Sequence, residues 1–279
     1  MYCSILKYAD DIRIYLSVPK SQDALADLHW KIQHDINSIA TWANDSGMTF
    51  NIDKCFYATF GTYADSDTRS YKINDDAILT SSCFGDLGVT VSTPLSFNKH
   101  IDHVVAKCFS RLSLINKVFR IRSKHSLLRL YKCMVRPLLD YASITWNPYT
   151  VGNILRVERV QKRACRLIPS MCHLHYREQL AELGMLSLRA RRIRYQLITI
   201  FKMYKKGELG NFFVLRNNKK IRGHSATLQI KYAKNNYRRY FFTIAAIDLW
   251  NKLPQNSIDL SLTTFKIHLI EFLAEQGIF

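Results

Sequence analysis

Residues 5 to 16 read Ile-Leu-Lys-Tyr-Ala-Asp-Asp-Ile-Arg-Ile-Tyr-Leu, and this stretch limits the folds open to the chain more than any other. A run rich in apolar and aromatic residues meets two adjacent carboxylates. Ile12, Ile14 and Leu16 then alternate with Arg13 and Tyr15, a pattern that predicts two strands meeting at Asp10-Asp11. Aspartate is disfavoured in strands and favoured in turns, which places the bend at that pair. Two carboxylates held together at a hairpin tip repel each other. Two readings stand: a plain solvated turn, or a site where a divalent cation, Mg²⁺ first, offsets the repulsion.

Ser21 follows Pro19 as a candidate N-cap. Leu25, Leu28, Ile32, Ile36, Ile39 and Ala43 then recur at helical spacing up to a stop at Gly47. Met48, Phe50 and Ile52 alternate as a short strand, Lys54 follows, and Cys55 to Phe60 reads as another strand. Residues 61–69 form a polar loop. Tyr71-Lys72-Ile73 and Ala77-Ile78-Leu79 flank Asn74-Asp75-Asp76 as a second hairpin, in which Asp75 and Asp76 are turn residues. Residues 84–91 extend as a strand in which Gly85 and Gly88 allow close backbone approach. Strand, turn, strand, helix and strand in this order predict an α+β fold.

Charge divides the chain. Residues 1–98 hold 7 Lys+Arg against 12 Asp+Glu, a net of −5, while residues 99–279 hold 33 against 10, a net of +23. An acidic first third joined to so basic a remainder fits a cation-holding piece attached to a polyanion-holding piece. No window approaches the roughly 18 unbroken apolar residues of a membrane span, and the N-terminus lacks the pattern of a signal peptide. Seven cysteines at irregular spacing suit a reducing, intracellular compartment, cytoplasm or nucleus.

The basic part is helical. Val104, Cys108, Leu112, Ile115 and Phe119 make one apolar stripe; Leu127, Tyr131, Met134 and Leu138 make a second, interrupted by Pro137; Val157, Val160, Ala164 and Leu167 make a third. Beside the third stripe Arg156, Arg159, Arg163 and Arg166 recur every three or four residues, with Lys162 nearby. Such a row can follow a phosphate backbone without reading bases. Ser187 caps a further helix whose start carries Arg189, Arg191, Arg192 and Arg194. Cations there oppose the helix dipole and favour a nearby phosphate. Cys165, Cys172, His173 and His175 have metal-ligand chemistry, but their spacing does not match common zinc sites. Residues 207–223 read as a basic linker, and helices over about 239–252 and 261–275 close the chain.

Tyr8-Ala9-Asp10-Asp11 within strand, turn and strand resembles the catalytic hairpin of reverse transcriptases. Further segments follow in order: Asp86-Leu87-Gly88-Val89, Leu95-Ser96-Phe97, His100-Ile101, Val135 to Ser143, Trp146-Asn147-Pro148-Tyr149, Val160 to Ala164, Gly223-His224, Phe241-Phe242, Trp250 to Pro254 and Phe265-Lys266. Together they resemble LINE-type (non-LTR) retrotransposon reverse transcriptases of the jockey and chicken-repeat clades. Ala245 and Tyr195-Gln196 depart from the usual pattern of an arginine and a Gly-Asp pair. The resemblance implies a partial palm over 1–98, a thumb-like bundle over 99–206, the linker over 207–223 and a helical tail over 224–279. It makes Asp10 a ligand of catalytic Mg²⁺ or Mn²⁺ with Asp11 beside it. It also places Lys54 near the triphosphate as a general acid and makes Gly85, Leu87 and Gly88 part of a primer grip.

The same resemblance implies an RNA template and a DNA primer or target as partners, and no membrane. It also implies a second catalytic aspartate and a finger region that this sequence does not supply. The resulting expectation is the C-terminal part of an RNA-directed DNA polymerase, inactive alone. The alternatives are a non-catalytic basic RNA- or DNA-binding module and a decayed transposon remnant.

Overall fold

The computed structural model describes residues 1–18, 23–61, 70–93, 95–119, 123–216 and 224–278, with the side chains of residues 23–25 set aside. The expected cap Ser21, nearly all of the 61–69 loop and the Lys219-Lys220 part of the linker lie outside the described residues. The chain is α+β and separates into two compact units, one of residues 1–86 and 91–95, the other of residues 87–90 and 96–279.

In the first unit β1 (Ser4–Tyr8) and β2 (Asp11–Tyr15) pair antiparallel, with Ile5 opposite Ile14 and Tyr8 opposite Asp11. Helix α1 (Asp23–Asp45) buries Leu28, Ile39, Ala40 and Ala43. It stops at Gly47, whose φ of +69° lets the Met48 N–H return to the Ala43 carbonyl at 2.8 Å. A three-stranded sheet follows in the order β3 (Phe56–Tyr57), β5 (Asp76–Thr80), β4 (Tyr71–Ile73). Strand β5 pairs antiparallel with β4 and parallel with β3. The second hairpin forms, but its turn is only Asn74-Asp75, and Asp76, expected in the turn, opens β5 opposite Ile73; Asn74 lies in the left-handed region that asparagine tolerates. Tyr71, Ile73 and Ile78 form a small core with Ala40, against which Ile32 and Ile36 pack.

The strand expected from Met48 to Ile52 does not form. Ile52–Lys54 is a 3₁₀ turn instead, because the Asn51 carbonyl accepts from Lys54 N–H at 3.0 Å and the Ile52 carbonyl from Cys55 N–H at 2.9 Å. Asn51 and Asp53 favour such local bonds over a ladder, and the strand beyond shrinks to two residues. A third hairpin, β6 (Cys83–Asp86) and β7 (Val89–Ser92), turns at Leu87-Gly88, and the division between the units passes through its tip.

The second unit is helical. Helix α2 (Asn98–Val118) buries Ile101, Val104, Cys108, Leu112 and Ile115, while Phe119 lies past its end and is exposed. Helix α3 (Lys124–Leu130), a π turn (Tyr131–Val135) and α4 (Arg136–Asp140) run on continuously. Pro137 has no N–H for a helical bond, and the Arg136 N–H reaches back five residues to the Tyr131 carbonyl. The extra residue turns the next face by about 100°. The buried residues are therefore Val135 and Leu139, where a plain helix would have buried Met134 and Leu138.

Helices α5 (Val151–Arg166), α6 (Tyr176–Glu182) and α7 (Leu188–Lys206) follow. Ser187 caps α7 as expected, its hydroxyl accepting from the Ala190 N–H at 3.1 Å. The expected 239–252 helix is instead three short pieces, α8 (Asn236–Arg239), α9 (Phe242–Ala245) and α10 (Ile247–Asn251); extended Phe241 separates the first two and lets Phe242 turn inward, and a single turn residue, Ala246, separates the last two. Helices α11 (Gln255–Asp259) and α12 (Leu262–Glu275) complete the tail. Leu197, Ile200 and Phe201 of α7 share one core with Trp250, Phe265, Leu269 and Leu273 of the tail.

Two histidines are built into the second unit as neutral rings. His100 Nδ1 accepts the Thr90 N–H at 3.1 Å, and His224 accepts the Ala226 N–H on Nδ1 while its Nε2 contacts the Trp250 carbonyl. Burial holds both below the usual histidine range, aided at His100 by His103 and Lys107 and opposed at His224 by the bond to Trp250. A second proton would remove each Nδ1 acceptor. As pH falls below the unfolded value of about 6.5, the unfolded chain therefore takes up protons first and the folded chain loses stability. The midpoint of chemical unfolding should fall between pH 7.5 and pH 5, and this slope should flatten in the His100→Gln/His224→Gln variant. An unchanged slope would contradict the assignment.

Candidate nucleic-acid interface and acidic hairpin

The Tyr8-Ala9-Asp10-Asp11 motif forms the predicted hairpin tip. Its turn falls one residue before the expected Asp10-Asp11 pair: Ala9 and Asp10 are the two turn residues, and Asp11 opens β2 opposite Tyr8. Ala9 has φ +51°, which an alanine adopts at a cost of about 1 kcal/mol. Asp10 and Asp11 are both exposed. Arg13 lies 3.5 Å from Asp11 and pairs with Asp86. What holds the hairpin to α1 was not anticipated. Asp35 has no exposed surface and accepts the Tyr2 and Cys3 N–H groups at 2.7 Å each. Burial alone would raise its pKa, but the two backbone bonds outweigh that and hold it below the usual carboxylate range. The signal was present: Asp35 falls on the apolar face of α1, seven residues past Leu28 and four before Ile39.

Carboxylate oxygens are the ligands Mg²⁺ takes, and Asp10 and Asp11 offer them. Among the described residues, however, no group of three acidic, His or Cys side chains gathers at any point. Two carboxylates do not fit a two-ion centre, which needs further bridging ligands, and no catalytic step is assigned to them. Lys54 is exposed at the end of the 3₁₀ turn.

Leu87 and Gly88, at φ +44° and +78°, make the tight turn of the third hairpin. The Tyr141 hydroxyl donates to the Leu87 carbonyl at 2.7 Å, and a Cβ at position 88 would come within 3.3 Å of the Tyr141 ring. Glycine is thus required there twice over. Gly85 meets nothing within 4 Å of where its Cβ would lie.

Helix α5 buries Val157, Val160 and Ala164 and exposes Arg159, Arg163 and Arg166 along one side. Arg156 pairs with Asp102 of α2, and the Lys162 ammonium lies 5.0 Å from the centre of the Tyr176 ring. Lys99, His103, Lys107 and Arg111 of α2 form a second exposed row at steps of four. Lys107 and Arg111 also line, with Ser110, Leu114 and Leu138, an open pocket of about 350 Å³. The spacing test that found the α5 row finds this one too.

The expectation of a phosphate at the start of α7 is corrected. The anion there is Glu158 of α5, buried and accepting from the Tyr176 hydroxyl, the Leu188 N–H at 3.0 Å and the Arg189 N–H at 3.3 Å. Most of the arginines nearby are also engaged within the protein. Arg191 grips Asp140 with two bonds, at 3.1 and 2.6 Å, and Arg194 donates twice to the Lys266 carbonyl. Arg192 is 3% exposed and donates to Asn147 at 3.0 Å. Burial lowers its pKa to about 10, so it stays charged at neutral pH, and it does not present a surface cation. Arg189 is exposed. Of the Cys/His group, Cys165 is buried, its thiol pushed up to about 12 by burial and by Glu158, and His175 is the N-cap of α6.

Comparison with known proteins shows that the chain is similar to a region of LINE/jockey-type reverse transcriptases. The RNA-directed DNA polymerase from mobile element jockey of Drosophila funebris is 27% identical over 170 residues, and its counterpart from Drosophila melanogaster is 23% identical over 167. Each match covers 59% of this chain and 18% of the relative. An uncharacterized protein of Caenorhabditis elegans is 28% identical over 126 residues, 44% of this chain and 63% of that protein. No protein-family model and no solved structure matches. Among the described residues no helix is long and apolar enough to cross a membrane.

Glu158 and Arg159 are neighbours with opposite duties, and denaturant unfolding should separate them. Glu158→Ala leaves three donors without their acceptor and should cost about 3 to 5 kcal/mol. Arg159→Ala should stay within about 0.5 kcal/mol of the parent. Equal costs would refute this division.

Proposed function

We propose that this chain supplies the catalytic hairpin and thumb-like bundle of a LINE-type RNA-directed DNA polymerase. The observation that carries the reading is the Tyr8-Ala9-Asp10-Asp11 tip, which presents two exposed carboxylates between paired strands in a chain similar to jockey polymerases. In the full-length enzyme Asp10 is the residue that engages divalent cations, Mg²⁺ or Mn²⁺, with Asp11 beside it. Lys54 faces the triphosphate, and the Leu87-Gly88 turn with Gly85 meets the primer. The outward rows Arg159, Arg163 and Arg166 and Lys99, Lys107 and Arg111 hold the RNA template and DNA primer by their phosphates.

Because the donor set is too small for two ions, the chain does not polymerise unaided and acts on its own as a basic RNA- and DNA-binding module. Primer extension on an RNA template with Mg²⁺ or Mn²⁺ should give no incorporation. Incorporation by the purified chain that disappears in Asp10→Ala would overturn the incompleteness. Binding to an RNA–DNA hybrid should weaken steeply with salt, and each of Arg159→Ala and Arg163→Ala should reduce the slope of log K against log salt by about 1. Asp10→Ala and Asp11→Ala should leave binding intact. Salt-independent binding would contradict the assignment of these rows.

A further inference from the structure

From Leu209 to Ile247 the sequence has no Asp or Glu in 39 residues and carries eight Lys or Arg. Its middle, Ile230 to Tyr240, reads Ile-Lys-Tyr-Ala-Lys-Asn-Asn-Tyr-Arg-Arg-Tyr, cations and tyrosines interleaved. This segment lies outward: Lys231, Lys234, Tyr237, Arg238 and Arg239 are all exposed, and Tyr232 is 92% exposed. Tyr240 stacks on Tyr149, with ring centres 4.7 Å apart and planes 3° from parallel. Tyr149 is 39% and Tyr240 40% exposed, so the pair is open to solvent and not part of the core. The Arg239 guanidinium lies 6.0 Å from the Tyr240 ring centre. Among the described residues neither hydroxyl has a hydrogen-bond partner, and none of the four cations has an ion pair.

The chemistry differs from that of α5. Arginines without aromatic neighbours track a phosphate backbone, whereas flat exposed rings flanked by unpaired cations suit bases that are free of a duplex. We propose that Tyr149 and Tyr240 form a stacking platform for an unpaired base of single-stranded nucleic acid, with Arg238 and Arg239 on the adjoining phosphates. The site is independent of the polymerase reading and of the α5 and α2 rows.

The test uses the full chain and labelled 12-mers of oligo(dT), oligo(U), an abasic strand and a blunt duplex, followed by fluorescence anisotropy. Tyr149→Ala and Tyr240→Ala should each weaken oligo(dT) and oligo(U) about tenfold, with the abasic strand and the duplex unchanged. Tyr240→Phe should stay within about twofold, since the ring is what stacks. Arg238→Ala/Arg239→Ala should weaken every single strand, the abasic one included. A tyrosine effect on only one of oligo(dT) and oligo(U) would still support the site and assign it to DNA or to RNA. Independently of how the variants fold, photocrosslinking of iodouracil-substituted oligo(U) to the unaltered chain should map to Tyr149 or Tyr240. The proposal is overturned by crosslinks confined elsewhere, by equal losses on abasic and base-bearing strands, by a Phe variant as weak as the Ala variant, or by no loss at all. It is also overturned if the parent chain shows no preference for base-bearing strands, a result that would assign the surface to a protein partner.

Discussion

One buried carboxylate decides what the basic half of this chain can present. Glu158 sits on a helix otherwise rich in arginine, yet it points inward and accepts the first N–H groups of α7 together with the Tyr176 hydroxyl. A buried anion is tolerable only where donors and a positive potential surround it, and a helix N-terminus provides both. The bond ties α5 to α7 in one rotation, so that Arg159, Arg163 and Arg166 must face out. Asp35 does the corresponding work in the first unit, where it takes two backbone N–H groups and fixes the start of β1 to α1. Each candidate surface is thus set by a buried acid that bonds backbone N–H groups of its own unit.

Much of this was legible in the sequence, and what was missed has physical causes. The apolar stripes of α1, α2 and α5 could be read because helical spacing is a property of the chain alone. The alternation of β1 and β2 was read for the same reason, whereas both turns end one residue sooner than the paired aspartates suggest, at Ala9-Asp10 and Asn74-Asp75, with Asp11 and Asp76 opening the next strands. The register after Tyr131 was not legible, since a π turn shifts the buried face by one residue and leaves the pattern nearly as good. The Met48–Ile52 strand failed because alternation counts apolar residues and ignores how readily Asn51 and Asp53 bond locally. The arginines of α7 misled for another reason. Their partners, Asp140, Asn147 and the Lys266 carbonyl, lie 51, 45 and 72 residues away, beyond the reach of any local rule.

Several segments that carried the family resemblance turn out to be joints. Trp146 donates to the Tyr141 carbonyl, and Asn147 holds Arg192. Trp250 donates to the Ala226 carbonyl, while the Asn251 amide exchanges two bonds with Leu228 and closes the tail. Such residues hold the helical unit together. The proposed chemistry rests on fewer residues: the Asp10-Asp11 tip, the Tyr141-buttressed turn at Leu87-Gly88, and the outward cations.

We propose that, besides Arg238 and Arg239 of the tail, the cations open to nucleic acid lie on α5 and α2, whereas Arg191, Arg192 and Arg194 at the start of α7 bond within the protein. Arginine-selective modification with phenylglyoxal, read by mass spectrometry with and without a bound RNA–DNA hybrid, tests this most directly. Arg111, Arg159, Arg163 and Arg166 should react readily and become protected by the hybrid, while Arg191, Arg192 and Arg194 react slowly in both states. Ready reaction of Arg191, Arg192 and Arg194 that the hybrid suppresses, with the α5 row unaffected, would contradict the account.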